Sequence, residues 1–287
     1  MKDTHRQLNL PGVPPSGATQ GREVPVRWGW TEASVWTERM LATLERGIKG
    51  GQWYSLIDKV WKMENLQSAV RSVSRDKSPR TADGRRCRRY AEQADRHLPR
   101  LQEQLRCGEY QPQPASRVWI PKLGSKELRP LGIPPVENRV VEMALRHVIE
   151  PIFEQTFAEQ SYGFRPGRGA KDALRRVQHL LNAGHVWVVD ADIKGYFDHI
   201  PQEKLLAAVA ERISDGAVLE MIRRFLKQGV METGKGWQPT ETGTPQGAVL
   251  SPLLANIYLN PLDHLMAARG WEMIRYADDF VILCASR

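Results

Sequence analysis

Two apolar β-type stretches in this chain run directly into aspartates, and that pairing limits the possible folds more than any other feature. His185 to Ile193 reads HVWVVDADI. Trp271 to Tyr276 and Phe280 to Cys284 read as two further strands, joined across Ala277-Asp278-Asp279. Runs rich in valine, isoleucine and aromatics, bounded by turn residues, are strand signals. The first run is largely buried in character, so Asp192 near its end stands where an unpaired carboxylate costs on the order of several kcal/mol. A Tyr-Ala-Asp-Asp turn taken alone also fits an ordinary surface hairpin. A second Asp-bearing strand favours a cation-binding role. Two such strands side by side can hold two Mg²⁺ ions ~4 Å apart, which activate a 3′-hydroxyl and stabilise a pyrophosphate leaving group. Oxygen donors without histidine or cysteine favour magnesium over zinc.

The rest of the chain supplies a mixed helical and β context. Residues 1–30 carry four prolines and four glycines without apolar periodicity and read as a flexible arm. Trp36, Met40, Leu44 and Ile48 recur every four residues, which predicts a helix stopped by Gly50-Gly51. A second helical pattern runs through Leu56, Ile57, Val60 and Trp61, then Leu66 to Val73. Ser78-Pro79 and Asp83-Gly84 predict a basic loop, followed by a helix over about Tyr90 to Cys107. Arg117 to Lys122 and Arg129 to Pro134 read as the two arms of a hairpin across a polar turn. Helices are expected over 136–158, Lys171 to Leu181, Gln202 to Arg212 and Ala217 to Lys227. The domain reading is an arm (1–30), a basic helical extension (31–115), a second unit (116–184) and an aspartate-bearing unit (185–287).

Composition narrows the partners. The chain of 287 residues is 41% hydrophobic and 26% charged, enough for a core and too apolar for a wholly disordered chain. No run reaches the ~18 apolar residues of a membrane span. The N-terminus lacks a signal-peptide-like stretch, so a cytoplasmic protein without a membrane partner is expected. Cys87, Cys107 and Cys284 form no CxxC pair, which fits a reducing compartment. Lysine and arginine exceed the acids by 41 − 33 = 8. Between Arg71 and Arg100, ten basic residues face four acids, a local surplus of 10 − 4 = 6. That segment reads either as a solvated helix face or as a polyanion-binding surface.

The blocks IPKLGSKELRPLGIP, SYGFRPGRGAKDAL, VVDADIKGYFDHI, GTPQGAVLSPLLANIYLN and RYADDFVIL follow one another in this order. Together they closely resemble the bacterial group II intron-encoded reverse transcriptases, the maturase proteins, from about Ser55 to Arg287. The resemblance implies an α+β fold, the fingers and palm of a right-hand polymerase with a ferredoxin-like palm sheet. It implies that Asp192 binds both metals with the Ile193 carbonyl, and that Asp278 and Asp279 are the remaining catalytic carboxylates, Asp278 the stronger ligand. Phe197 matches the aromatic gate that excludes a 2′-hydroxyl. Gln246 and Gly247 match the residues lining the nucleotide site, and Lys122 and Arg129 the cations on the triphosphate. Arg165 and Arg168 match template-backbone contacts. Arg85, Arg86, Arg88 and Arg89, in the basic segment, are the candidate RNA contacts.

The implied activity is RNA-directed DNA synthesis with two Mg²⁺ ions, on an RNA template with a DNA primer and deoxynucleoside triphosphates, together with intron RNA binding that assists splicing. Ala248 stands where relatives usually show a second glycine, and Glu142 where a glutamine is more usual. Asp190 shares a strand face with Asp192 if the strand is regular, and reads as a strand-end polar residue. The chain stops eight residues after Asp279. The expectation is a truncated or split product without a thumb, with a separate polypeptide as a candidate partner to supply it. A catalytically silent RNA-binding maturase fragment is the alternative. A nucleotide cyclase is disfavoured by the TPQG and RPLGIP blocks. A DNA-binding regulator would have no use for three carboxylates beside a polyanion.

Overall fold

Apolar spacings of three and four residues build the first part of the chain from helices. The computed structural model describes residues 27–48, 50–75, 82–121 and 128–286. Helix α1 (Glu38–Arg46) starts where the Thr37 hydroxyl accepts the Met40 N–H, and ends at Gly47, whose φ of 77° suits glycine. Helices α2 (Ile57–Val60) and α3 (Met63–Ser74) follow, then α4 (Ala82–Glu92) and α5 (Ala94–Arg106). The Asp83-Gly84 pair belongs to α4 and not to the expected loop, because Cys87 and Tyr90 give this segment an inward face. Ser78-Pro79 lies outside the described residues.

The long helix α6 (Val136–Glu154) is the hub of the core. Val140, Val141, Ala144, Leu145, Val148 and Ile149 are fully buried on it. Asn65 of α3, itself buried, donates to the Ala144 carbonyl at 3.0 Å, so a polar side chain fixes how two apolar helices meet. Beside α6 lies a four-stranded sheet in the order β2-β1-β4-β5, with β1 (Ala115–Pro121), β2 (Leu128–Ile133), β4 (Val230–Glu232) and β5 (Gly236–Gln238). The expected hairpin is present, with Arg117 opposite Gly132 and Ile120 opposite Arg129.

The second sheet has the order β3-β7-β6, all antiparallel, from β3 (Trp187–Asp192), β6 (Glu272–Tyr276) and β7 (Asp279–Cys284). Helices α7 (Ala170–Asn182) and α11 (Ser251–Ala268) cover its two faces at β6 and β7. Between β3 and α11 lie α8 (Tyr196–His199), α9 (Gln202–Ala210) and α10 (Gly216–Leu226). Among the described residues, the helices stop short of β3 and it pairs on one side only. Val186, Trp187, Val188 and Val189 are therefore 48–63% exposed, which corrects the reading of this run as buried. An edge strand can carry the sequence of a central one when its second neighbour and its covering layer are missing. No helix among the described residues is long and apolar enough to cross a membrane.

Candidate active site

The hairpin of β6 and β7 turns across Ala277 and Asp278, with Tyr276 opposite Asp279. Ala277 adopts φ 62°, a left-handed conformation that is unusual for a residue with a Cβ. The turn is held from below. Arg275 is wholly buried and donates to the Ala277 carbonyl at 2.7 Å. The same guanidinium reaches both oxygens of buried Asp263, the Asn256 side chain and the Ser161 hydroxyl. Backbone bonds from Arg275 N–H to Gln160 and from Tyr162 N–H to Arg275 lay the 160–163 segment along β6. A Cβ on Gly163 would lie 2.2 Å from the Ala277 nitrogen, so only glycine permits this approach.

Asp192 stands directly opposite Asp279 in the β3–β7 register, and Asp190 opposite Val281, which puts Asp190 on the same face. Asp192 and Asp279 are exposed and Asp278 half-buried. Deep burial is thus not what singles these carboxylates out; their mutual proximity is. Partial desolvation, then the charges of Asp278, Asp192 and Asp190, hold the Asp279 carboxyl above its usual range. Among the described residues, no three histidine, cysteine, aspartate or glutamate side chains are already gathered around one point. The donor set is all oxygen and mutually repulsive, which is what a hard divalent cation neutralises. The residues fit magnesium in that sense.

Beyond Asp192 the chain turns through Ile193 and Gly195 (φ 62°) into the one-turn helix α8. Tyr196 anchors it, donating its hydroxyl to the Ala255 carbonyl at 2.7 Å. Phe197 is half-buried, with the edge of its ring system 6.4 Å centroid to centroid from Phe164. The Phe197 carbonyl accepts the Thr244 N–H at 2.7 Å, which joins α8 to the TPQG loop. In that loop Gln246 donates to Asp198 at 2.9 Å, and its own carbonyl accepts the Gly132 N–H of β2 at 2.8 Å. Gly247 has φ 102°, and a Cβ there would come 2.5 Å from the Gly132 carbonyl. Ala248 has no such constraint and is buried, so alanine is accommodated. Phe197, Gln246 and Gly247 therefore form one chain of contacts from the aspartate strand to the hairpin.

Two expected cations are less visible. Lys122 lies outside the described residues, as does the side chain of Arg129. Arg86, Arg88 and Arg89 are exposed on α4, and the Arg85 side chain is not described. Arg165 requires a correction. It is 7% exposed, grips Glu154 with two nitrogens and donates to the Ala158 and Ser161 carbonyls. Four of its five N–H groups are bonded inside the protein, so it shapes the 161–165 loop and is not placed as the exposed cation that the sequence reading expected. Arg168 donates to the Glu159 carbonyl and covers the Tyr162 ring at 5.6 Å.

Sequence reasoning missed Arg275. Its one signal was a charge on the strand face shared with buried Met273. The function of Glu142 was also out of reach. Fully buried on α6, it accepts the Val249 and Leu250 N–H groups at 2.5 and 3.2 Å and so caps α11.

The family described as "Reverse transcriptase (RNA-dependent DNA polymerase)" matches residues 120–287. The chain belongs to the reverse transcriptase family. It is 41% identical over 172 residues to the group II intron-encoded protein LtrA of Lactococcus lactis subsp. cremoris, covering 59% of this chain and 28% of that protein. It is 42% identical over 173 residues to protein YkfC of Escherichia coli strain K12, covering 59% and 45%. The chain thus spans less than half the length of either relative. Among solved structures, a partial Cas6-RT-Cas1–Cas2 complex matches with a TM-score of 0.50 and 25% identity, over 80% of this chain and 38% of that one. The mixed helical and β architecture is that of reverse transcriptase fingers and palm.

Proposed function

We propose that this chain carries the fingers and the aspartate-bearing palm of a group II intron RNA-directed DNA polymerase. The observation that carries the reading is Asp192 facing Asp279 across β3 and β7, with Asp278 in the adjoining turn. Bound there, two Mg²⁺ ions would activate the primer hydroxyl and stabilise the departing pyrophosphate. Asp192, Asp278 and Asp279, with the Ile193 carbonyl, would hold them. Phe197 would close the site against a 2′-hydroxyl, with Gln246 and Gly247 shaping the wall beside it. Arg129, on the hairpin that Gly247 touches, and Lys122, next in sequence after β1, would take the triphosphate. The template and primer would be RNA and DNA, and the incoming substrates deoxynucleoside triphosphates.

Arg86, Arg88 and Arg89, with Arg85 beside them in sequence, would bind intron RNA, and Arg168 at the loop rim is the remaining template candidate. The exposed Val186–Val189 edge supports a further polypeptide that covers β3 and supplies the grip on the duplex, in the bacterial cytoplasm where intron RNA is made. Primer extension on an RNA template, with and without a fragment of a longer relative supplying that part, tests the proposal. Deoxynucleotide-dependent extension that needs Mg²⁺ and disappears in Asp192→Asn supports it. Retained extension in that variant refutes the site.

A further inference from the structure

The Tyr-Ala-Asp-Asp turn combines two features that oppose each other. Its residues must hold carboxylates at fixed positions, yet Ala277 occupies a left-handed conformation that an alanine does not favour. Tight turns of this kind usually take glycine or asparagine at such a position. Something other than local preference must therefore hold the turn. The buried guanidinium of Arg275 is placed to do so.

Arg275 and Asp263 are both 0% exposed, and their side chains meet through two bonds of 2.7 and 2.6 Å. An ion pair fully removed from water adds little stability over an apolar pair of equal size, so its presence suggests a geometric task. The geometry specifies one. One nitrogen, Nη1, reaches both the Ala277 carbonyl at 2.7 Å and the Asn256 side-chain oxygen at 2.9 Å. Asn256 in turn donates to the Gly163 carbonyl at 2.8 Å, and Gly163 is the residue whose backbone abuts Ala277. Ser161 completes the set at 2.7 Å. Arg275, Asn256 and the 161–163 segment thus close a ring of contacts around the peptide that precedes Asp278.

We propose that Arg275 is a positioning residue for the aspartate turn: anchored on Asp263, it pins the Ala277 carbonyl and so fixes where Asp278 and Asp279 present their carboxylates to divalent metal. The inference rests on the two-metal reading above. Residues that orient metal ligands without touching the metal act in this way in general.

The test is Mn²⁺ binding to the full chain, followed by electron paramagnetic resonance, with thermal melting alongside. Compared are the wild type, Asp192→Asn, Arg275→Lys, Asn256→Ala, and each of the last two combined with Ala277→Gly. Asn256→Ala serves where Arg275→Lys, which leaves buried Asp263 poorly matched, does not fold. Arg275→Lys and Asn256→Ala are expected to weaken Mn²⁺ binding by about 10-fold or more. Ala277→Gly is expected to restore most of that affinity, because glycine takes the left-handed turn unaided, while the lowered melting temperature stays low. Wild-type affinity in folded Arg275→Lys and Asn256→Ala overturns the clamp alone. A loss that Ala277→Gly leaves unchanged does so too, and assigns Arg275 to packing. Mn²⁺ binding that is absent from the wild type, or unaffected by Asp192→Asn, overturns the two-metal reading and the clamp with it.

Discussion

Asp192 of β3 and Asp279 of β7 are direct partners in an antiparallel register, two carboxylates set against each other on one sheet face. Like charges in that arrangement destabilise a sheet by about 0.2–1 kcal/mol. Asp192→Asn should therefore raise the melting temperature in EDTA by about 1–3 °C, while Mg²⁺, which raises that of the wild type, has no further effect. In primer extension the same substitution, and Asp278→Ala, should lower the rate on the order of 10³-fold or more with the fold intact. A lower melting temperature for Asp192→Asn in EDTA would contradict the repulsion argument.

Phe197 tests the sugar choice. Its ring is half-buried and touches Phe164 and Tyr196 edge-on, so it is neither a free surface group nor a core residue. Phe197→Val should raise ribonucleotide incorporation relative to deoxynucleotide by ~10-fold or more, since a buried unpaired hydroxyl costs roughly 1–3 kcal/mol. The measurement is kcat/KM for matched ribo- and deoxynucleoside triphosphates, with melting curves beside it. A destabilised variant with an unaltered ratio would make Phe197 a packing residue only.

What the sequence revealed and what it concealed divide along contact range. The hairpin around Asp278 and the β1–β2 hairpin, expected over Arg117–Lys122 and Arg129–Pro134 and described as Ala115–Pro121 and Leu128–Ile133, were legible because alternation and turn residues are local signals. Helix α1 itself was legible, but it ends at Gly47, one turn before the expected stop at Gly50-Gly51, because Gly47 takes the left-handed conformation first. Arg165 misled because an arginine between prolines and glycines looks solvated; its partner Glu154 lies on the preceding helix and no local pattern announces it. The Val186–Val189 run misled in the opposite sense, since apolar content does not reveal whether a strand has a second neighbour. Arg275 was hidden for the same reason as Arg165: all but one of its side-chain partners come from other segments, α11 and the 161–163 loop. Asp192, Asp278 and Asp279 stood out as candidates because each closes a local strand pattern. Their arrangement, with Asp279 and not Asp278 facing Asp192, needed the register.

Buried Glu142 and half-buried His147 on α6 give the protein opposing responses to pH. Burial pushes the Glu142 carboxyl up to about 7, even though two backbone N–H groups favour its ionised form. Below the unfolded value of 4.5 it is protonated in both states. As pH rises toward 7 only the unfolded state ionises, so stability falls by roughly 3 kcal/mol and then levels off. Burial pushes His147 down to about 4, with Arg146 acting in the same direction and Glu32 against it. Above 6.5 it is neutral in both states, and its stability contribution, also roughly 3 kcal/mol, is lost as pH falls toward 4. Between pH 4.5 and 6.5 the two slopes oppose each other. Glu142→Gln should leave stability rising with pH across that window, and His147→Asn should leave it falling. Denaturant unfolding at closely spaced pH values reads both slopes, and equal slopes in the two variants would contradict the assignment.

The basic helix α4 decides whether the charge surplus serves RNA. Arg86, Arg88 and Arg89 are exposed, while Cys87 between them is buried, so the helix turns one face inward and spreads its cations outward. Nearby, Arg71 and Arg75 rim a cleft of about 430 Å³ between α3 and the α4–α5 pair. Each cation that no longer neutralises a phosphate takes about 0.7–0.9 off the log–log salt slope. Replacing Arg85, Arg86, Arg88 and Arg89 by glutamine should thus flatten the slope for intron RNA by ~3 units. Because the inward residues Cys87 and Tyr90 are untouched, the melting temperature should hold. The checks are a filter-binding titration from low to high salt and a melting curve on the same preparation. A slope equal to that of the wild type would assign these arginines to solvation and move RNA recognition elsewhere on the chain.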